Sequence, residues 1–127
     1  MTQPRAAHRR VWLVADDYGI SPAVNAAIRD LAARRRLSAT SVMVVAPSFD
    51  RSEAARLAAL SATTTFAIGL HLTLTAPFRP LSGGFQPTRA GAFFPLAALM
   101  GRAALGRLDR AALAAEIAAQ ITAFHAA

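Results

Sequence analysis

Two consecutive carboxylates, Asp16 and Asp17, directly follow the apolar run Val11-Trp12-Leu13-Val14-Ala15 and precede Tyr18-Gly19-Ile20-Ser21-Pro22. Parallel α/β proteins place their chemistry at strand ends, because a rigid sheet holds the following loop while leaving it open to ligand. Adjacent carboxylates pointing in different directions can divide the labour there. One binds a divalent cation and stays ionised, and the other takes a proton from an attacking water. The structural alternative is an acid pair that caps the next helix and complements its dipole. A single histidine, His71, sits mid-run in the strand-like stretch Phe66 to Thr75. Gly69 leaves space beside it, and Thr73 or Thr75 could supply hydrogen bonds to a ligating imidazole. A packed, hydrogen-bonded imidazole is the plainer reading of the same residue. Together the two stretches suggest a metal site of carboxylate and imidazole. The chain has no cysteine, so any metal takes O and N ligands, which suit zinc, manganese, nickel or magnesium.

The remaining polar candidates are weaker. His8 lies in a basic N-terminal tail and reads as solvated, and His125 lies near the frayed end of the last helix. Asn25, one turn into the first helix, could face the acidic loop or be an ordinary surface residue. Arg34 to Arg36 suit the last turn of that helix, where positive charge complements the dipole.

The elements that must position these residues alternate. Val11 to Val14 reads as a strand buried on both faces, with a loop over Asp16 to Ile20. Ser21 is then an N-cap with Pro22 at the first helical position, and Val24, Ile28 and Leu31 recur at helical spacing. Thr40 to Val45 reads as a second strand, followed by a capping box, Asp50 to Glu53, that opens a helix to about Leu60. Phe66 to Leu74 is a third strand. Such alternation predicts an α/β fold with a parallel sheet and right-handed crossovers. Residues 76–108, broken by proline and glycine yet rich in phenylalanine, read as a loop or lid. Asp109 opens a last helix with an apolar stripe of Leu113, Ile117, Ile121 and Phe124.

At 127 residues the chain fits a single domain, with residues 1–10 as a flexible tail. Its net charge of +7 comes from 14 basic residues, all arginine, against 7 acidic ones. The arginines are scattered and alanine is abundant, which points to compositional bias and away from a nucleic-acid partner. No apolar segment approaches the roughly 20 residues needed to span a bilayer, and Met1 to Arg10 lacks the apolar stretch of a secretory signal. A cytoplasmic protein is the expectation.

Three strings, Ala15-Asp16-Asp17-Tyr18-Gly19-Ile20-Ser21-Pro22 with Val24-Asn25, Thr40-Ser41-Val42-Met43, and Gly69-Leu70-His71-Leu72-Thr73-Leu74-Thr75, occur in the order that resembles the YdjC-like carbohydrate deacetylases. That family includes chito-oligosaccharide deacetylases and members associated with hopanoid biosynthesis. The resemblance implies a (β/α) barrel-like fold related to polysaccharide deacetylases. It also implies a divalent-metal-dependent hydrolase, with Mg or Zn as cofactor, that removes acetyl groups from an N-acetylated sugar or glycolipid. Carried over, Asp16 matches the catalytic base, Asp17 the first metal ligand and His71 the second. The family's third ligand, a histidine in an Asp-Ser/Gly-His-x-His type motif, has no counterpart in these residues, and His125 lacks both the acid and the second histidine of that motif. The resemblance therefore predicts an incomplete barrel, an N-terminal portion with weak or no activity alone, paired with a complementing C-terminal half or with a second copy.

Two other function classes compete. A phosphorelay receiver also bears an acid pair after its first strand, but it needs an aspartate after the third strand and a lysine after the fifth. This chain has His71 at the first place and no lysine at all. A non-catalytic α/β partner that completes its sheet with another polypeptide is motivated by the phenylalanine-rich segment from Phe78 to Phe94.

Overall fold

A computed structural model describes residues 11–85 and 89–127. The tail expected over residues 1–10, with His8, lies outside the described residues, as do 86–88 of the expected lid.

Side-chain caps set the helix starts where the sequence places them. Ser21 Oγ accepts the Val24 N–H at 3.2 Å and opens α1 (Pro22–Ala33), with proline in the first turn where a missing N–H costs nothing. Asp50 Oδ1 accepts the Glu53 N–H at 2.9 Å and opens α2 (Arg51–Thr63). The capping box is only half made, because the Glu53 carboxylate is taken by Tyr18 and Arg29. Three strands, β1 (Val14–Tyr18), β2 (Ala39–Val42) and β3 (Ala67–Leu70), pair in parallel in the order β1-β2-β3. The predicted α/β alternation with a parallel sheet is what the molecule adopts.

The strand boundaries differ from expectation in a way that matters for the site. β1 begins at Val14, so Val11, Trp12 and Leu13 lie outside it and are exposed at 79%, 69% and 57%. Apolar character alone favoured the earlier run. The position of β1 is fixed by Tyr18, whose fully buried ring joins Ile28, Ala32, Val42, Leu57 and Phe66 in the core. The two carboxylates thus belong to the strand itself. Nor is the strand buried on both faces: Ala15 and Tyr18 turn towards the core, and Val14 and Asp16 are exposed. β2 and β3 are each shorter than expected. The ladder continues one residue past their ends, Met43 N–H donating to the Tyr18 carbonyl and His71 N–H to the Val42 carbonyl, both at 2.8 Å.

Helices α1 and α2 cover the core face of the sheet. Ile28 packs there as its spacing predicts, but Leu31 is exposed and Ala32 takes the inward place. Burying one side chain such as Leu57 contributes about 1.5–3 kcal/mol, so this small cluster is a main source of cohesion.

The region 76–108 is not all loop: it contains α3 (Leu96–Ala104). Phe85 and Phe93 are buried edge-to-face with ring centroids 5.2 Å apart, and the Arg102 guanidinium lies 4.4 Å over the Phe94 ring. Asp109 caps α4 (Arg110–Ala126) through the Ala111 and Ala112 N–H groups. The face that α4 buries is the second departure. Leu113, Ile117 and Phe124 are only half-buried and Ile121 is exposed, whereas Glu116 and Gln120 are completely buried. Glu116 accepts the Leu81 and Ser82 N–H groups at 3.1 and 2.7 Å and the Gln120 side-chain amide at 2.8 Å. Gln120 in turn accepts the Thr73 N–H and donates to the Thr73 carbonyl. The segment 73–82 joins no sheet among the described residues, and its buried backbone groups must be paired elsewhere. The polar seam of α4 pairs Thr73, Leu81 and Ser82, while the Ala76 N–H donates to the Phe94 carbonyl and the Phe78 carbonyl accepts the Phe93 N–H.

Candidate metal centre

The carboxylates are presented by a break in strand pairing. Ala15 pairs with Thr40 and Tyr18 with Val42, so two residues of β1, Asp16 and Asp17, stand opposite the single residue Ser41. This is a β-bulge, with Asp17 in the left-handed region at φ 66°, a conformation that Asp tolerates better than most residues. Regular alternation would send neighbouring side chains to opposite faces. The bulge brings both to one cluster, so the expected divergence of the pair gives way to convergence.

Ser41, on the central strand, sits at the middle of that cluster. Its hydroxyl donates to Asp16 Oδ1 at 2.7 Å and its oxygen lies 3.0 Å from His71 Nδ1. Asp17 Oδ1 lies 3.3 Å from the same ring nitrogen. The side chain of Asp17 is 50% exposed and that of His71 33%, so the group opens to solvent. Asp16, Asp17 and His71 are therefore neighbours, brought together by β1, β2 and the end of β3. The helix-capping alternative fails for the acid pair, since Ser21 fills the cap of α1 and no acidic residue lies in its first turn. His125 is exposed at the far end of α4 with its ring against Phe124. Thr73 does not reach the imidazole: its hydroxyl donates to the His71 carbonyl at 3.0 Å, steadying the backbone instead.

Sequence reasoning left Asn25 open between site and surface, and quoted Ser41 only within the second string, with no role of its own. Asn25 is fully buried. Its Oδ1 accepts the Gly19 N–H at 2.6 Å and its amide donates to the Ser48 carbonyl at 2.8 Å, while the Ser48 N–H donates to the Gly19 carbonyl. One side chain thus ties the turn after β1 to the turn after β2. Gly19 has φ 108°, and a Cβ there would lie 2.9 Å from Phe49 Cβ and 3.1 Å from the Met43 carbonyl oxygen. Only glycine lets the two turns approach so closely. The signal that could have found Asn25 is its six-residue spacing from the strand-end glycine, an offset that puts an amide on the first turn of α1 facing back to the loop.

Beneath the site, Tyr18 donates to Glu53 Oε2 at 2.6 Å, and Arg29 pairs with both Glu53 and the Tyr18 hydroxyl. Burial, reinforced by the Glu53 hydrogen bond, pushes the Tyr18 hydroxyl pKa up to about 12. This triad locks the last residue of β1 and therefore the end of the bulge.

Asp17 brings carboxylate oxygens beside the His71 imidazole, an oxygen and a nitrogen ligand type in one cluster. No arginine pairs with Asp16 or Asp17 among the described residues. That donor set fits a divalent cation. No group of three or more His, Asp or Glu side chains that could hold a metal is formed among the described residues.

Comparison with known proteins bears on the same stretch. Residues 10–127 match the family described as YdjC-like protein. No curated relative matches the chain. Among solved structures, a protein from Enterococcus faecalis with the provisional description cellobiose-phosphate cleavage protein superposes with a TM-score of 0.69 at 30% sequence identity. The match covers 89% of this chain and 42% of that one, so this chain spans less than half the neighbour's length. The three-stranded parallel sheet and its helices are consistent with part of a polysaccharide-deacetylase-like fold.

Proposed function

Because the chain belongs to the YdjC-like family, we propose that its bulged strand end forms part of the active site of a metal-dependent carbohydrate N-deacetylase, a hydrolase acting on N-acetylated sugars. The observation that carries this reading is the convergence of Asp16, Asp17 and His71 around Ser41. Asp17 and His71 would hold a divalent cation, Mg or Zn, which when bound supplies Lewis-acid polarisation of the acetyl carbonyl. Asp16 is the proton carrier. Ser41 engages its Oδ1, and the other carboxylate oxygen, without a partner among the described residues, takes a proton from the attacking water as that water adds to the carbonyl carbon. The same proton then passes to the sugar nitrogen as the C–N bond breaks, releasing acetate and the free amine.

The carbohydrate side of the reading is supported by the family and by the disaccharide phosphate in the description of the Enterococcus faecalis neighbour. A glycolipid carrying an N-acetylated sugar is the alternative substrate. Water, a second copy or a complementing C-terminal half would fill the coordination that Asp17 and His71 leave open. The test is acetate release from N,N′-diacetylchitobiose with Zn2+ or Mg2+, with and without chelator, beside calorimetric titration of the metal. We expect release that is weak from this chain alone, that chelator removes and that Asp16→Asn lowers about 10²-fold or more while metal binding survives, and metal binding that Asp17→Asn weakens. Release that ignores the chelator, or a wild-type chain that binds neither cation, would overturn the proposal.

A further inference from the structure

We propose that Ser41 is a positioning residue that fixes His71 as the Nδ1–H tautomer and thereby makes Nε2 the nitrogen presented for ligation. The argument is one of donor arithmetic. Ser41 has one hydroxyl hydrogen, and it is given to Asp16 Oδ1 at 2.7 Å, since a carboxylate only accepts. The contact at 3.0 Å between Ser41 Oγ and His71 Nδ1 then has no hydrogen unless the ring nitrogen supplies it. The Ser41 oxygen is therefore the acceptor at Nδ1, and Nδ1 carries hydrogen. In a neutral ring that leaves the lone pair on Nε2.

The consequence is a directed chain, His71 N–H to Ser41 O–H to Asp16 carboxylate, crossing all three strands through the central one. It joins the ligand and the base of the proposed reaction. Loss of the hydroxyl frees the ring to exchange tautomers and frees Asp16 to rotate. Partners that orient a ligating imidazole in this way typically change metal affinity about 10–100-fold when removed. The tautomer assignment stands on hydrogen-bond geometry alone, and its consequence for metal binding rests on the function proposed above.

The experiment uses the whole chain with His8→Gln and His125→Gln, which leaves His71 as the sole histidine, and compares it with Ser41→Ala and Ser41→Thr versions of the same protein. Long-range ¹H–¹⁵N correlation at a pH where the ring is neutral reads the tautomer without metal, thermal unfolding checks the fold, and titration with Zn2+ alone reads affinity. We expect Nδ1–H in the parent and in Ser41→Thr. In Ser41→Ala we expect a mixture of tautomers with at least tenfold weaker Zn2+ binding. An Nε2–H ring in the parent, or an unchanged tautomer in a folded Ser41→Ala, would overturn the assignment. Should Ser41→Ala fail to fold, the parent and Ser41→Thr spectra still decide it. An Nδ1–H ring in a parent that binds no Zn2+ would uphold the role of Ser41 and refute the metal centre, which separates the two failures.

Discussion

Asn25 offers a sharp test of how the turns beside the candidate site are held. Its side chain is fully buried and pairs with two backbone groups, the Gly19 N–H and the Ser48 carbonyl. Asn25→Leu keeps the branched shape and the number of side-chain heavy atoms, removes both partners in a place that water cannot enter, and adds overpacking because its methyl groups are larger than the oxygen and amide they replace. Each buried backbone group left unpaired costs about 1–3 kcal/mol, and the gain from burying an apolar side chain offsets part of it, so the net loss should be about 2–4 kcal/mol. For a chain of this size, that lowers Tm by about 10 °C. Asn25→Ala removes more atoms but leaves a polar hole in which a water can bridge the same two groups. The hydrogen-bond argument therefore predicts an unusual ranking, with Asn25→Ala less destabilised than Asn25→Leu. Thermal unfolding followed by circular dichroism reads both. A leucine variant within about 0.5 kcal/mol of wild type, or an alanine variant clearly worse than leucine, would show that Asn25 acts by filling space and would refute the reasoning.

Three further outcomes follow from the packing. In Glu116, burial opposes ionisation, but the Gln120 amide and the Ser82 and Leu81 N–H groups overcome it and hold the carboxyl below its usual range. Its contribution to stability is therefore present above the ordinary Glu pKa of about 4.3 and disappears as pH falls through the lower folded value. Glu116→Ala should destabilise the chain at neutral pH and flatten that acid-side slope in unfolding curves; an unchanged slope would contradict it. Tyr18 titrates the other way. With its pKa pushed up to about 12, stability is full below the ordinary tyrosine value of about 10 and is lost between the two as pH rises. It is the only tyrosine in the chain, so ultraviolet difference absorbance reads it directly, and tyrosinate forming near pH 10 in folded protein would count against the buried triad. Gly19→Ala combines a strained φ with a close approach to Phe49 and Met43, and should cost about 2–5 kcal/mol in denaturant unfolding. A neutral result would mean the turn relaxes freely.

What could be read from the residues alone was whatever local chemistry determines. Ser21, Asp50 and Asp109 cap helices where their side chains reach the next free N–H groups, and the three strands follow from alternating apolar runs. The juxtaposition of Asp16, Asp17 and His71 was likewise anticipated, because parallel strands bring their leading ends to one side. The misses are all non-local. Val11 to Leu13 look like a strand, but only the burial of Tyr18 decides where pairing begins. Glu116 and Gln120 look like a solvated face until unpaired amides of residues 73–82 need them. Helix α3 is hidden among prolines and glycines that dominate any local average. Ser41 is an ordinary strand residue until its neighbours on both sides turn out to be Asp16 and His71.

The unpaired extra residue in β1 turns the acid doublet into a question of parity. Deleting either carboxylate would not simply subtract one charge, because an evenly matched ladder would leave a single acid opposite Ser41 and no residue with a left-handed backbone to aim a second. Any shortened sequence at this point must therefore surrender one of the two proposed roles, whichever aspartate it keeps.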